Sequence, residues 1–151
     1  MESKDEINSI LLATDFSPEA ERAYKFAKKL TAPHKNIKFY IITVHKPIYV
    51  PLGDLTGAND ELLHENSEME KRSKELMERL VEEIKKAGVT NCEGVIEFGD
   101  PVKKILEMAE KVMPNMIIMG NRKTGLKKGI LFGSVSVRVS ANSPVSVLIV
   151  R

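Results

Sequence analysis

Short runs of consecutive apolar residues alternate along this chain with longer stretches in which apolar residues recur every three or four positions. The first kind reads as strands buried on both faces, the second as amphipathic helices. Ile7 to Thr14, centred on Ile10-Leu11-Leu12-Ala13, predicts the first strand. Ser17-Pro18-Glu19 then supplies an N-cap, a proline suited to the first helical position and an acidic first turn. Ala20, Ala23, Tyr24, Ala27 and Leu30 follow on one helical face, and Thr31-Ala32-Pro33 closes the helix. Ile37 to Val44 predicts a second strand. Pro47, Pro51, Gly53 and Gly57 break any period after it, so residues 46–60 predict a long loop or lid.

A long helix is predicted from near Asp60 and throughout Ser67 to Ala87, with Met69, Leu76, Met77, Leu80, Val81 and Ile84 as its apolar stripe and Gly88 as its C-cap. Its solvated face, from Glu68 to Lys86, is densely charged and offers several opposite-charge pairs four residues apart. Cys92 to Phe98 is the third strand; Asp100 caps a helix that begins at Pro101 and turns Val102, Ile105, Leu106 and Ala109 inward. Met116 to Met119 is the fourth strand, residues 120–132 a loop, and Val145 to Val150 the last strand. Ser134 to Asn142 alternates locally like a strand, yet it must cross back over the sheet, so topology predicts a helix there. Strands alternating with helices imply parallel βαβ units. The predicted fold is α/β: one open, five-stranded parallel sheet with helices on both faces, Rossmann-like, with residues 1–151 forming a single domain.

Bulk properties narrow the function only by exclusion. With 42% apolar and 29% charged residues and a net charge of +2, nothing favours nucleic acid or membrane. Aromatic residues are 5% of the chain, with no Trp, which removes the stacking platforms of nucleic-acid binders. Cys92 is the lone cysteine, so no internal disulfide can form, which suits a cytoplasmic location; Cys92 reads as a small buried hydrophobe. The charged start Met1-Glu2-Ser3-Lys4-Asp5-Glu6 is unlike a signal peptide, and no apolar run reaches the length of a membrane span. His34, His45 and His64 lie far apart, no metal-ligand spacing occurs, and Asp54, Asp60, Glu61, His64 and Glu65 read as a solvated helix start.

The chemistry gathers at strand ends. Met116-Ile117-Ile118-Met119-Gly120 runs into the basic, glycine-punctuated segment Asn121 to Phe132, and Gly133-Ser134 opens the next helix. Glycines allow close backbone approach and a helix start points N–H groups at anions, so the segment reads as a phosphate cradle. In open α/β sheets ligands bind beyond the carboxyl ends of strands where strand order reverses. Ala13-Thr14-Asp15 ends the first strand, and if that strand neighbours the fourth, Asp15 faces Gly120 across a crevice.

These segments, with Gly99-Asp100-Pro101 and the ending Ser143 to Val150, give a chain that resembles the universal stress protein family, in its small single-domain, ATP-binding form, over nearly its whole length. The resemblance implies a five-stranded parallel sheet of the adenine nucleotide alpha hydrolase type with the first and fourth strands adjacent. It also implies a nucleotide pattern Gly-x2-Gly-x9-Gly-Ser/Thr. Gly120, Gly133 and Ser134 match that pattern; Lys123 stands where its second glycine would be, and Asn115 where the family often has Asp. Lys123 has two readings: an added charge for the triphosphate, or a block to a positive-φ turn.

The resemblance further implies that Ala13, Thr14, Asp15 and Met119 border the nucleotide at the strand ends, with Asp15 accepting from the base or ribose, that Val44 walls the base, that Gly120, Asn121, Arg122 and Lys123 face the phosphates, and that Gly133, Ser134, Val135 and Ser136 form a helix-start anion site. The plain structural roles stay open beside these: Asp15 as a turn cap before Ser17, Val44 as core, Ser134 as an N-cap. The implied cofactor is ATP, carrying Mg or Mn through its phosphates. The implied partners are an adenine nucleotide, a second copy of the chain across the C-terminal strand, and a further protein that reads a nucleotide-ordered loop 121–132. With no general base beside a γ-phosphate and no nucleophile elbow, hydrolysis is expected to be slow or partner-dependent. The rivals are a family member that acts through protein contacts without nucleotide, and an enzyme acting on adenylated substrates.

Overall fold

The computed structural model describes residues 6–34, 36–47, 58–121 and 135–151. Five strands, β1 (Ser9–Ala13), β2 (Lys38–His45), β3 (Asn91–Phe98), β4 (Met116–Gly120) and β5 (Ser146–Val150), form one parallel sheet in the order β3-β2-β1-β4-β5. Helices α1 (Pro18–Thr31), α2 (Ala58–Lys86), α3 (Pro101–Val112) and α4 (Val135–Asn142) join them. The predicted α/β architecture and the β1–β4 adjacency are both present.

Side-chain alternation builds a core on each face. Ile10, Leu12, Phe39, Ile41 and Ile118 point one way, onto Ala23, Tyr24 and Ala27 of α1 and Met77 and Ile84 of α2. Leu11, Ala13, Ile42, Ile117 and Met119 point the other, onto Val102, Ile105 and Ala109 of α3 and Val139 of α4. The three central strands are therefore buried on both sides, which is why their sequences are continuous apolar runs. Cys92 is half-buried and packs against the first of these cores.

Element ends follow local hydrogen bonds. β1 is shorter than Ile7 to Thr14. At its start the Asn8 and Ser9 N–H groups both donate to Asn115 Oδ1, at 3.0 Å each, and at its end the Thr14 hydroxyl accepts from the Phe16 N–H. β2 gains His45, whose carbonyl accepts from the Gly99 N–H at 2.9 Å. α1 and α3 start on their expected caps, Ser17 accepting from Ala20 N–H and Asp100 from Lys103 N–H. α3 stops at Met113, left-handed at φ 44, and α2 is followed by Gly88 at φ 103, a conformation that glycine adopts at little cost.

α2 already begins at Ala58, so the long loop is shorter than 46–60, and its residues 48–57 lie outside the described residues. α4 is a helix, as crossover topology requires, in spite of its alternating sequence. No helix among the described residues is long and apolar enough to cross a membrane.

Candidate functional site

Strand order reverses between β1 and β4, where Ala13 and Met119 are in register, and a cavity of about 450 Å³ opens there at the carboxyl end of the sheet. Ala13, Thr14, Asp15, Val44, Met119, Gly120, Val135 and Ser136, named from the sequence, all border it. Arg122, Lys123, Gly133 and Ser134 lie outside the described residues, as do Gly125, Lys127, Lys128 and Gly129.

The β1 wall is shaped by a tight turn that the chain bonds to itself. Thr14 N–H donates to the Ile42 carbonyl at 2.9 Å, Phe16 N–H to Thr14 Oγ1 at 3.0 Å, and Ser17 N–H to Asp15 Oδ1 at 3.0 Å. Asp15 thus holds the turn-capping role that was one of its two expected readings. The turn forces Phe16 to φ 59, a left-handed conformation that costs a bulky residue about 1–2 kcal/mol. Strained backbone of this kind clusters where a site needs a fixed geometry.

Gly120 has a structural reason of its own. A Cβ built there would lie 2.5 Å from the Glu19 carbonyl oxygen, 2.7 Å from its carbon and 3.0 Å from Ala20 N. β4 and the first turn of α1 meet backbone to backbone, and only glycine permits it. Asn121 was expected to offer its N–H to phosphate; instead that N–H donates to the Val150 carbonyl at 3.0 Å, continuing the ladder from β4 to β5.

Two kinds of wall face the cavity. Ala13, Ile42, Val44, Ile105, Met119 and Val135 form an apolar slot. The polar part comes from Thr14, Asp15, Ser17, Glu19, Lys46 and Ser136. Three helix starts border it: Ser17, Glu19 and Ala20 at α1, Pro101 at α3, and Val135 and Ser136 at α4. Each carries about half a positive charge from its aligned peptide dipoles. Among the described lining residues the formal charges are the carboxylates of Asp15 and Glu19 and the ammonium of Lys46. An apolar slot ringed by helix starts accommodates a flat apolar ring joined to an anionic tail.

Sequence reasoning missed Ser17, Glu19, Ala20, Ile42, Lys46, Pro101 and Ile105 as wall residues. Part of the signal was present. Ile42 lies two positions before Val44 and so shares its face, and Pro101 opens a helix that must begin at the ligand end of a parallel sheet. Lys46 had no signal beyond lying just after a strand. His45 points away from the cavity, its Nε2 2.7 Å from Ser73 Oγ and its ring 5.8 Å from that of Phe98. Among the described residues no three of His, Cys, Asp or Glu come together as metal ligands.

The sequence model of the universal stress protein family matches residues 6–151. A 53-residue stretch is 43% identical to the stress response protein NhaX of Bacillus subtilis, covering 35% of this chain and 32% of that protein. A universal stress protein of Thermus aquaticus is 33% identical over 144 residues, covering 95% of this chain and 98% of that one. Universal stress protein MJ0577 of Methanocaldococcus jannaschii is 31% identical over 153 residues, covering 94% and 93%. The solved MJ0577 structure superposes with a TM-score of 0.75 over 95% of each chain. A universal stress protein solved in complex with cAMP superposes with a TM-score of 0.69 at 27% identity, over 95% of this chain and 97% of that one.

Proposed function

The chain belongs to the universal stress protein family, and on that premise we propose that it binds an adenine nucleotide, ATP in the first place, and acts in the stress response as a nucleotide-dependent regulator rather than as a strong catalyst. The observation that carries this reading is the convergence of β1, β2, β4 and α4 on one cavity at the point of strand reversal. The related protein solved with cAMP supports the adenine class. Adenine fits the slot of Ile42, Val44 and Met119, and the phosphates lie towards the helix starts at Pro101, Val135 and Ser136. A Mg or Mn ion in this reading arrives on the phosphates, since the described residues assemble no metal-ligand group of their own.

We further propose that β5, an edge strand of five uncharged residues, pairs with its counterpart in a second copy.

Calorimetric titration of nucleotide-stripped protein with Mg-ATP, using AMP and GTP as comparisons, tests the nucleotide reading. Adenine-selective, saturable heat that falls at least about tenfold in Val44→Glu is the expected result, because a carboxylate in the slot would be desolvated by the base. Absence of heat up to millimolar ATP would favour a second reading, action through protein contacts alone. Two observations favour that alternative: Gly120 is explained by α1 packing without any phosphate, and Lys123 departs from the family's glycine pattern.

A further inference from the structure

The two edges of the sheet differ in chemistry. β5 is Ser-Val-Leu-Ile-Val, short and uncharged, whereas β3 is Asn-Cys-Glu-Gly-Val-Ile-Glu-Phe, eight residues with two carboxylates and neither lysine nor proline. Charged side chains, lysine above all, proline, bulges and shortness are the usual means by which a sheet edge avoids pairing, and of these β3 carries its two carboxylates.

The direction of the β3 hydrogen-bonding groups follows from one bond. Gly99 N–H donates to the His45 carbonyl on β2, so by alternation the odd residues of β3 face β2. Cys92, Gly94, Ile96 and Phe98 then present their N–H and C=O groups to the edge that no other described strand pairs. Their side chains lie on the α2 side of the sheet, where Cys92 and Ile96 pack against the core and Phe98 is 41% exposed. Glu93, Val95 and Glu97 lie on the α3 side, lining a groove of about 440 Å³ with Tyr40, Ile42 and Met108, where the carboxylates of Glu93, Glu97 and Glu107 outnumber the ammonium groups of Lys104 and Lys111. Glu97 is 3.4 Å from Lys104 Nζ, which Glu107 shares at 3.5 Å; Glu93 has no ion pair among the described residues.

We propose that the open edge of β3 docks an extended basic segment of a protein partner by strand addition, with Lys or Arg at alternate positions opposite Glu93 and Glu97. The backbone groups of Cys92 to Phe98 supply the ladder, and the alternating faces supply selectivity. On the α3 side the partner's cations meet the carboxylates while their hydrocarbon stems lie over Val95 and Met108. On the other side its apolar residues meet exposed Phe98. A second copy of this chain fits less well: antiparallel pairing of β3 about Val95 would set Glu93 against Glu97 in both directions, like charges directly opposite being destabilising, whereas the shifted registers about Gly94 or Ile96 escape this. The two edges thus present different chemistry: β5 is uncharged, whereas β3 carries two carboxylates. This inference does not rest on the nucleotide reading.

The test uses the whole protein and a capped, fluorescent peptide of about six residues that alternates lysine and valine. Anisotropy should show saturable binding. It should weaken by about tenfold or more in the E93K/E97K variant, in a peptide with glutamate in place of lysine, and in a peptide N-methylated at alternate backbone positions. Amide exchange at Gly94 and Ile96 should slow when the peptide is bound. Should the double variant fail to fold, the N-methylated peptide and the exchange measurement still decide on the native protein. Three results would overturn the proposal: no saturation up to millimolar peptide, binding that survives N-methylation with Gly94 and Ile96 exchange unchanged, or self-association of the chain through β3.

Discussion

Gly120→Ala isolates the closest backbone contact at the site. The added methyl would sit 2.5 Å from the Glu19 carbonyl oxygen, and non-bonded carbon contacts relax only near about 3.5 Å. The opposing atoms are backbone, so relief requires α1 to shift outward by about 1 Å, loosening the seats of Ala20, Ala23, Tyr24 and Ala27. Over-packing of this kind costs about 1–3 kcal/mol. For a chain of this size each kcal/mol moves the melting temperature by about 2–4 °C, so a drop of roughly 4–8 °C is expected at the middle of that range. The backbone of Gly120 has no positive φ, so no conformational term adds to the steric one. Gly94→Ala is the control. There the methyl would meet only side-chain atoms, Met77 Cγ at 2.6 Å and Sδ at 2.7 Å and Val81 Cγ2 at 3.2 Å, and re-packing of the unbranched methionine should hold the loss below about 1.5 kcal/mol. Urea unfolding followed by circular dichroism reads both, as a shift in midpoint at constant slope. A Gly120→Ala protein as stable as the parent, or a costlier Gly94→Ala, would refute the claim that β4 and α1 meet backbone to backbone.

Three further outcomes are expected. Asn115→Ala removes the acceptor that holds the Asn8 and Ser9 N–H groups and should cost about 1–3 kcal/mol by chemical denaturation, whereas Asn115→Asp, which keeps the oxygen, should stay within about 0.5 kcal/mol. Burial pushes the Cys92 thiol up to about 11 from an ordinary 9.0, against a smaller lowering by Lys85; burial, then the hydrogen bond to Glu83, raises the Tyr24 phenol above 10.0. The folded chain therefore holds both protons more tightly than the unfolded chain. That contribution to stability is complete below pH 9.0 and is lost as pH rises, first through the thiol range up to about 11 and then, for the phenol, from 10.0 upward. Iodoacetamide labelling of Cys92 in the folded protein should accelerate only as pH approaches about 11; rapid labelling near neutrality would contradict its burial. Sedimentation should find a dimer that Ile149→Lys, a charge on half-buried edge strand β5, converts to monomer; an unchanged dimer would move the interface elsewhere.

The sheet was legible because its central strands are buried on both faces and therefore read as uninterrupted apolar runs. α4 was legible only through connectivity: Val135-Ser136-Val137-Arg138-Val139 alternates like a strand, and the need for a right-handed return over the sheet overrides that pattern. The β1 turn was half legible. Asp15 and Ser17 announce a turn and a cap, but nothing in the sequence signals that Phe16 takes a left-handed conformation, because a bulky residue has no local reason to adopt one. Asn115 stood out only as a departure from the family's usual residue. Its work, accepting two N–H groups from the start of β1, depends on a contact across more than a hundred residues. Lys46 escaped notice because its place on the cavity rim is decided by where β2 ends, and strand ends are the least predictable feature of a sequence.

Not every residue at the site can separate the two functional readings. Gly120 is required by its contact with α1 and Asp15 by its bond to the Ser17 N–H, so either would be retained by a family member that had lost nucleotide binding, and replacing either disturbs the fold whether or not a ligand is present. Val44 is a better witness. It is half-buried near the carboxyl end of β2, lines the slot, and is not held there by any side-chain hydrogen bond that a substitution would break. Val44→Ala removes two methyl groups from the wall at a modest cost in stability, since the site already opens to solvent, whereas it strips a bound base of one of its packing surfaces. If adenine nucleotides are the ligand, Val44→Ala should weaken ATP, ADP and AMP by the same factor, because the contact is to the base they share and not to the phosphates that distinguish them. A loss confined to ATP would place the base elsewhere in the cavity. Equal heats for parent and variant with every nucleotide would remove the slot from the site altogether.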